Sequence, residues 1–145
     1  MQEKDLAIGL GRARTVFGVV SILAPGIVGR TMTGRDGSDG GMRLFLRMVG
    51  ARDLGLGLGL LLALDREAPA RGWLEASAMV DGIDAGACLL ARNHLRPSVF
   101  PGAVGLAATG ALLGAWLGRQ LSPPPPGPGA AAPAHTPPDP YSAEG

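Results

Sequence analysis

The chain has 145 residues and a formal net charge of +1, which suits one domain and excludes a strong positive field that would recruit nucleic acid. Cys88 is the only cysteine, so an intrachain disulfide and a metal site built from several cysteines are excluded. Hydrophobic residues make up 46% of the chain, and most of them fall in four segments separated by polar loops. The segments are too long and too apolar for typical strands, and they predict four helices.

The first predicted helix covers residues 6–29, and Arg12 and Arg14 interrupt its apolar sequence. Only the fifteen residues 15–29 are uncharged, fewer than the roughly 20 of a typical membrane span. A secretory signal peptide is the alternative, but the apolar core ends in Ala-Pro-Gly and lacks a good small-x-small cleavage site. We expect the two arginines to lie near the lipid headgroups or to face the other helices. Residues 30–41, rich in Gly, Ser and Asp, predict a solvated loop.

The second predicted helix covers residues 42–64 and is rich in glycine. At 100° per residue its leucines share one face, and its small residues form two further stripes. In water each glycine would weaken a helix by about 1 kcal/mol, whereas in lipid glycines let neighbouring backbones approach closely. We expect the leucines to face lipid and the small residues to face other helices; a buried helix of a soluble protein is the alternative. The predicted packing residues are Gly50, Gly55, Gly57 and Gly59.

The third and fourth predicted helices cover residues 72–91 and 98–118. Only the fourth meets the simple criterion for a span, because no charged residue occurs over the 22 residues from 97 to 118. Its glycines at every fourth position predict a close helix contact, either within the bundle or between two copies of the chain. These are Gly110, Gly114 and Gly118.

Four ionisable residues of the second and third predicted helices lie at a similar distance from the short turn that joins these helices, and hence at a similar depth in the predicted membrane. They are Arg52, Asp53, Asp81 and Asp84. Each costs roughly 2.5–3.5 kcal/mol at the centre of a bilayer, so we expect them to face inward and to pair, Arg52 with Asp84 in particular. Arg52 can engage only part of the three carboxylates. The cluster could be a polar clasp that fixes helix register, or a proton relay or small-ligand site. An intramembrane hydrolytic site lacks a Ser/His/Asp set at one depth, and no metal or cofactor is predicted.

The pattern Arg47-x-x-Gly50-x-Arg52-Asp53-x-x-Leu56-Gly57, followed by Asp81-x-x-Asp84-Ala85, resembles a family of small four-helix bacterial membrane proteins of unknown function. The resemblance covers roughly residues 6–118. It implies a bundle of four spans and makes the four ionisable residues the family's polar positions, but it implies no activity. The chain departs from the family in its glycine-rich second helix and its long proline-rich tail.

The sequence therefore predicts an all-α integral membrane protein with a membrane domain at 1–121 and a disordered tail at 122–145, which holds nine of the 13 prolines. The expected spans are at about 6–29, 42–64, 72–91 and 98–118.

The leading functional hypothesis is a non-catalytic structural or accessory protein of the bacterial cell membrane, with the lipid bilayer as its partner and association of two copies through the fourth helix as a further contact. The alternative is a proton-linked transporter or small-ligand binder that uses Asp53, Asp81 and Asp84. A soluble helical binding module is the third class and would purify without detergent. Six basic residues against five weakly favour cytoplasmic termini.

Overall fold

The computed structural model describes residues 2–33, 39–94 and 97–121. The predicted tail and the middle of the first predicted loop lie outside these ranges. Within them the chain is all-helical and has no strand. The helices are α1 (Gln2–Leu23), α2 (Pro25–Thr33), α3 (Gly40–Asp65), α4 (Arg71–Leu90) and α5 (Phe100–Gln120), with a short 3₁₀ helix at Arg92–His94 between the last two.

The first predicted helix is divided in two, which corrects the continuous helix expected over 6–29. Ala24 separates α1 from α2, and Pro25 is the first residue of α2. Proline has no backbone N–H to continue the ladder of α1, but its fixed φ suits the first position of a new helix. The predicted loop at 30–41 is also shorter than expected, since α2 extends to Thr33 and α3 begins at Gly40. Asp39 caps α3, because its side chain accepts a hydrogen bond from the Met42 backbone N at 2.9 Å.

The other three helices lie within a few residues of their predicted positions. A tight turn joins α3 to α4: Arg66 N donates to Leu62 O at 3.1 Å, and Ala68 N donates to Ala63 O at 2.8 Å. Glu67 has a φ of 53° in this turn, a left-handed conformation that reverses the chain direction and ends α3.

The helices pack as two pairs, α1 with α3 and α4 with α5. Glycines allow the first pair to meet backbone to backbone: a Cβ on Gly18 would lie 2.7 Å from Gly50 O, and one on Gly57 would lie 2.7 Å from Gly11 O. Contact between α3 and α4 is sparse despite the short turn that joins them. The two pairs therefore meet through side chains rather than through closely packed backbones.

Most of the glycines predicted to pack do lie against other residues. Gly50 and Gly57 face α1, and Gly114 and Gly118 face α4 of the same chain, so the glycine face of α5 is used within the subunit. Gly59 leaves room for the ring of Trp73. Gly55 departs from the expectation, because a Cβ there would meet no atom within 4 Å.

The bundle largely inverts the usual distribution of residues, with charged side chains buried and large apolar side chains exposed. Its apolar core is small and lies near the α3–α4 turn, where Leu60, Leu74 and Leu117 are fully buried. The buried polar and charged residues are Arg14, Ser21, Asp53, Ser77 and Asp81. Large apolar side chains cover the outside along every long helix, among them Val16, Leu23, Phe45, Met48, Met79, Ile83, Leu106 and Leu112.

Among the described residues, two helices, α1 and α5, are long and apolar enough to cross a membrane, rather than the four expected. The reason lies in the charges of the other two. Every 18-residue window of α3 or α4 holds at least three charged residues, whereas a candidate span holds no more than two.

Candidate functional site

Arg14 of α1 lies at the centre of an ionic cluster that joins three helices. Its Nη1 donates to Asp53 Oδ1 of α3, and its Nη2 donates to Asp81 Oδ2 of α4. Nη2 also donates to the backbone O of Ser77 at 3.5 Å. One guanidinium therefore bridges two carboxylates from different helix pairs, a geometry that its planar fork of donors allows.

Arg52 of α3 forms the second half of the cluster. Its Nη1 donates to Asp84 Oδ1 at 3.1 Å and its Nη2 to Asp84 Oδ2 at 2.8 Å, so the pair expected from the sequence is present as a bidentate contact. Nη2 also lies 3.3 Å from Asp53 Oδ2. Asp53 thus accepts from both arginines, with one oxygen for each, and links the two halves.

The fourth long helix, α5, also contacts the cluster, at Gly110. A Cβ on Gly110 would collide with the Asp81 carboxylate. The missing side chain at this position makes room for Asp81 to reach Arg14. All four long helices consequently meet at the ionic cluster, which we define as Arg14, Arg52, Asp53, Asp81 and Asp84.

The two halves of the ionic cluster differ in burial. The side chains of Arg14 and Asp53 are 8% and 6% exposed, and that of Asp81 is 13% exposed. Arg52 and Asp84 are 31% and 40% exposed. The first three are enclosed by the bundle, whereas the Arg52–Asp84 pair opens to the outside.

Charge and hydrogen bonding in the ionic cluster are not fully balanced. Two arginines face three aspartates, which leaves one carboxylate in excess. Within the described ranges, four buried polar atoms have no hydrogen-bond partner: Arg14 Nε and Arg52 Nε in the ionic cluster, and Ser21 Oγ and Ser77 Oγ outside it. Buried donors without a partner are uncommon, and a water or another polar molecule is the usual explanation.

The ionic cluster joins helices through ion pairs, and its aspartates point to arginines rather than to a shared centre. The part of the chain that the structure describes contains no group of three His, Cys, Asp or Glu placed to hold a metal ion. Cys88, on the same helical line as the aspartates of α4, is only partly buried.

Sequence reasoning brought Arg52, Asp53, Asp81 and Asp84 together but missed the central member, Arg14. Two signals could have identified it. Three carboxylates require more than one arginine, and Arg14 lies on the same face of α1 as the small residues that pack on α3. These small residues are Ala7, Gly11, Gly18 and Ser21, all buried. Arg12, two residues earlier, lies on the opposite face and is exposed.

Comparison with protein-family models, curated proteins and solved structures finds no match for this chain. The resemblance to small four-helix bacterial membrane proteins therefore stays a prediction from the quoted motifs.

Proposed function

We propose that the protein is an integral membrane bundle that crosses the bilayer four times and has a structural or accessory role, with the ionic cluster as the clasp between its two helix pairs. The resemblance to the bacterial family and the balance of basic residues extend the proposal to the cell membrane of a bacterium, with cytoplasmic termini.

The observation that carries the proposal is the inverted polarity. Soluble proteins rarely expose large contiguous apolar surfaces, yet side chains such as Leu23, Ile83 and Leu112 are more than 60% exposed. Only 11% of the most apolar 18-residue window of α5 is buried inside the bundle, which argues against a core helix of a soluble protein. Lipid would cover this surface without cost.

The charged residues that keep α3 and α4 from counting as candidate membrane spans support the same proposal, because several of them are paired. Arg52 and Asp53 of α3, and Asp81 and Asp84 of α4, are all members of the ionic cluster. Charged residues inside a membrane are expected to face the bundle and to pair in this way. Both helices are also long enough, since 26 and 20 residues correspond to about 39 and 30 Å at 1.5 Å per residue, against a hydrocarbon core of about 30 Å.

Extraction of membranes at alkaline pH tests the proposal. The full chain should stay in the membrane pellet after carbonate treatment, and reporter fusions in the α3–α4 turn and after α5 should report the same side, opposite to a fusion between α2 and α3. Complete release into the supernatant would contradict a membrane-spanning fold, and a fusion pattern with two crossings would contradict the number of spans.

A proton-linked transporter or small-ligand binder is the second candidate, and the excess carboxylate favours it. Asp84 is the most exposed member of the ionic cluster, and among the described residues only Arg52 holds it, so a proton could reach it without breaking the buried contacts of Arg14. Asp84→Asn keeps the size of the side chain and removes the charge. This candidate would be favoured if vesicles with the wild-type protein take up protons and vesicles with correctly folded Asp84→Asn do not. It would be contradicted if protein-free vesicles show the same proton flux as vesicles with the wild-type protein.

A further inference from the structure

The seam between α3 and α4, the line along which these two helices face each other, is weakly packed over most of its length. At the turn end the two helices share the apolar core, where Leu60 and Leu74 are fully buried. After Asp81, however, no residue of α4 is buried, and contact between the two helices is sparse. The half of α4 that lies away from the turn is therefore held beside α3 mainly by the ionic cluster.

A groove with a volume of about 470 Å³ follows the seam from the turn towards the ionic cluster. Its walls come from α3, from the turn and from Trp73 of α4. Gly55, the first residue of α3 that lines the groove, lies only three residues after Arg52. A Cβ on Gly55 would meet no atom within 4 Å. The seam is therefore open almost as far as the Arg52–Asp84 pair.

The Arg52–Asp84 pair closes the seam far from the turn and near the surface of the bundle. Asp84 lies 13 residues beyond Arg71, the first residue of α4, or about 20 Å along the helix. Arg52 holds it with two hydrogen bonds, and both side chains are partly exposed. The charged residues around Asp84 are the other members of the ionic cluster, and α5 adds none before Arg119. Cys88, one turn later on α4, is a further titratable group on this face.

We propose that the Arg52–Asp84 pair is a latch on the seam, and that α4 moves away from α3 when this pair is broken. The α3–α4 turn is the hinge, while Arg14 and the apolar core keep the two helix pairs together. A proton on Asp84 releases the latch, because a neutral carboxyl loses its charge-assisted hydrogen bonds from Arg52. Release joins the groove to the ionic cluster. The opening rests on the contacts along the seam, whereas the proton as its trigger rests on the second candidate function.

Distances between pairs of spin labels on the full chain in detergent test the latch. Labels at Met48→Cys on α3 and Leu90→Cys on α4, in a Cys88→Ala background, give the seam distance beyond the latch. Met48 and Leu90 are 63% and 88% exposed, so the labels need not disturb the packing. Labels at Met48→Cys and Val16→Cys, in the same background, give a control distance between α3 and α1, whose backbones are in close contact.

Asp84→Asn, which mimics the protonated carboxyl, should lengthen the seam distance and leave the control distance unchanged. Leu90 lies 19 residues beyond Arg71, so at 1.5 Å per residue a tilt of α4 by about 10° at the turn moves Leu90 by about 5 Å. Glu75→Gln is the matched control variant. It neutralises a carboxylate that pairs with Arg71 within α4, and it should change neither distance.

The other outcomes contradict the latch. Equal seam distances in the wild type and in Asp84→Asn would mean that the pair is a fixed part of the clasp. An increase in both the seam and the control distance, or the same increase in Glu75→Gln, would mean that the bundle loosens as a whole. If Asp84→Asn does not fold, Arg52→Gln breaks the same pair and carries the same expectation. A protein that stays in the membrane pellet but whose seam does not open would refute the latch while leaving the proposed membrane location intact.

Discussion

Replacement of Arg14 by methionine tests the centre of the ionic cluster. Methionine keeps much of the length and apolar stem of arginine but removes every donor that reaches Asp53 and Asp81. Both carboxylates are nearly enclosed, with 6% and 13% of their side chains exposed. Removal of one partner from a buried ion pair costs about 3–5 kcal/mol, because the remaining charge stays buried without compensation. Natural domains have only about 5–15 kcal/mol of stability, so Arg14→Met should accumulate poorly or unfold at a clearly lower temperature.

The matched control is Arg12→Met, which removes the same charge two residues away on the exposed side of α1. Surface substitutions of this kind usually change stability by no more than about 0.5 kcal/mol. Arg14→Lys adds a second comparison, since an ammonium is a point charge and cannot bridge two carboxylates as a guanidinium does. The unfolding temperature of Arg14→Lys should lie between those of the wild type and Arg14→Met. The assay is thermal unfolding in detergent, followed by helical circular dichroism and by elution volume. Equal stability of Arg14→Met and Arg12→Met would refute the reasoning.

Three further predictions concern helix contacts. Gly18→Leu should disrupt folding, because a Cβ at this position would lie 2.6 Å from the Leu54 backbone N. Gly9→Leu should elute and melt like wild type, because a Cβ on Gly9 would meet no atom within 4 Å. Gly114→Leu should lower the unfolding midpoint, since a Cβ there already lies 3.2 Å from a neighbouring Cβ on α4; a midpoint equal to that of Gly9→Leu would contradict this contact. Arg52→Ala and Asp84→Ala should each destabilise, and the double variant should lose less than the sum of the two. Additive losses would show that the pair is uncoupled.

Helix positions could be read from the sequence because they depend on local patterns. The long apolar runs of α3, α4 and α5, and the charged turn between α3 and α4, place these helices within a few residues. The break at Ala24 was missed because a proline inside an apolar run can either kink a helix or begin a new one. Which of these occurs depends on how α2 packs on α1 and α3, and that is a tertiary property.

The partners within the ionic cluster were harder to predict than its members. Arg52 and Asp84 could be paired from the sequence because they lie at similar distances from the short turn that sets the register of α3 against α4. The same reasoning gave no register for α1, which reaches α3 only through a long connection. The position of Arg14 is set instead by close contacts of glycine backbones, Gly11 against Gly57 and Gly18 against Gly50. Such contacts leave no signal beyond a stripe of small residues.

The ionic cluster also explains why a count of charges finds two spans where the proposed bundle has four. Such a count treats each charged residue as a separate cost, but Arg14 and Arg52 each neutralise groups on another helix. The burden on α3 and α4 is therefore shared by the whole bundle and disappears only when the helices are assembled. It follows that α3 or α4 alone should enter a membrane poorly, while the four long helices together should be stable there. In the proposed bundle, insertion would be coupled to assembly through Arg14 and Arg52, because both arginines join the two helix pairs.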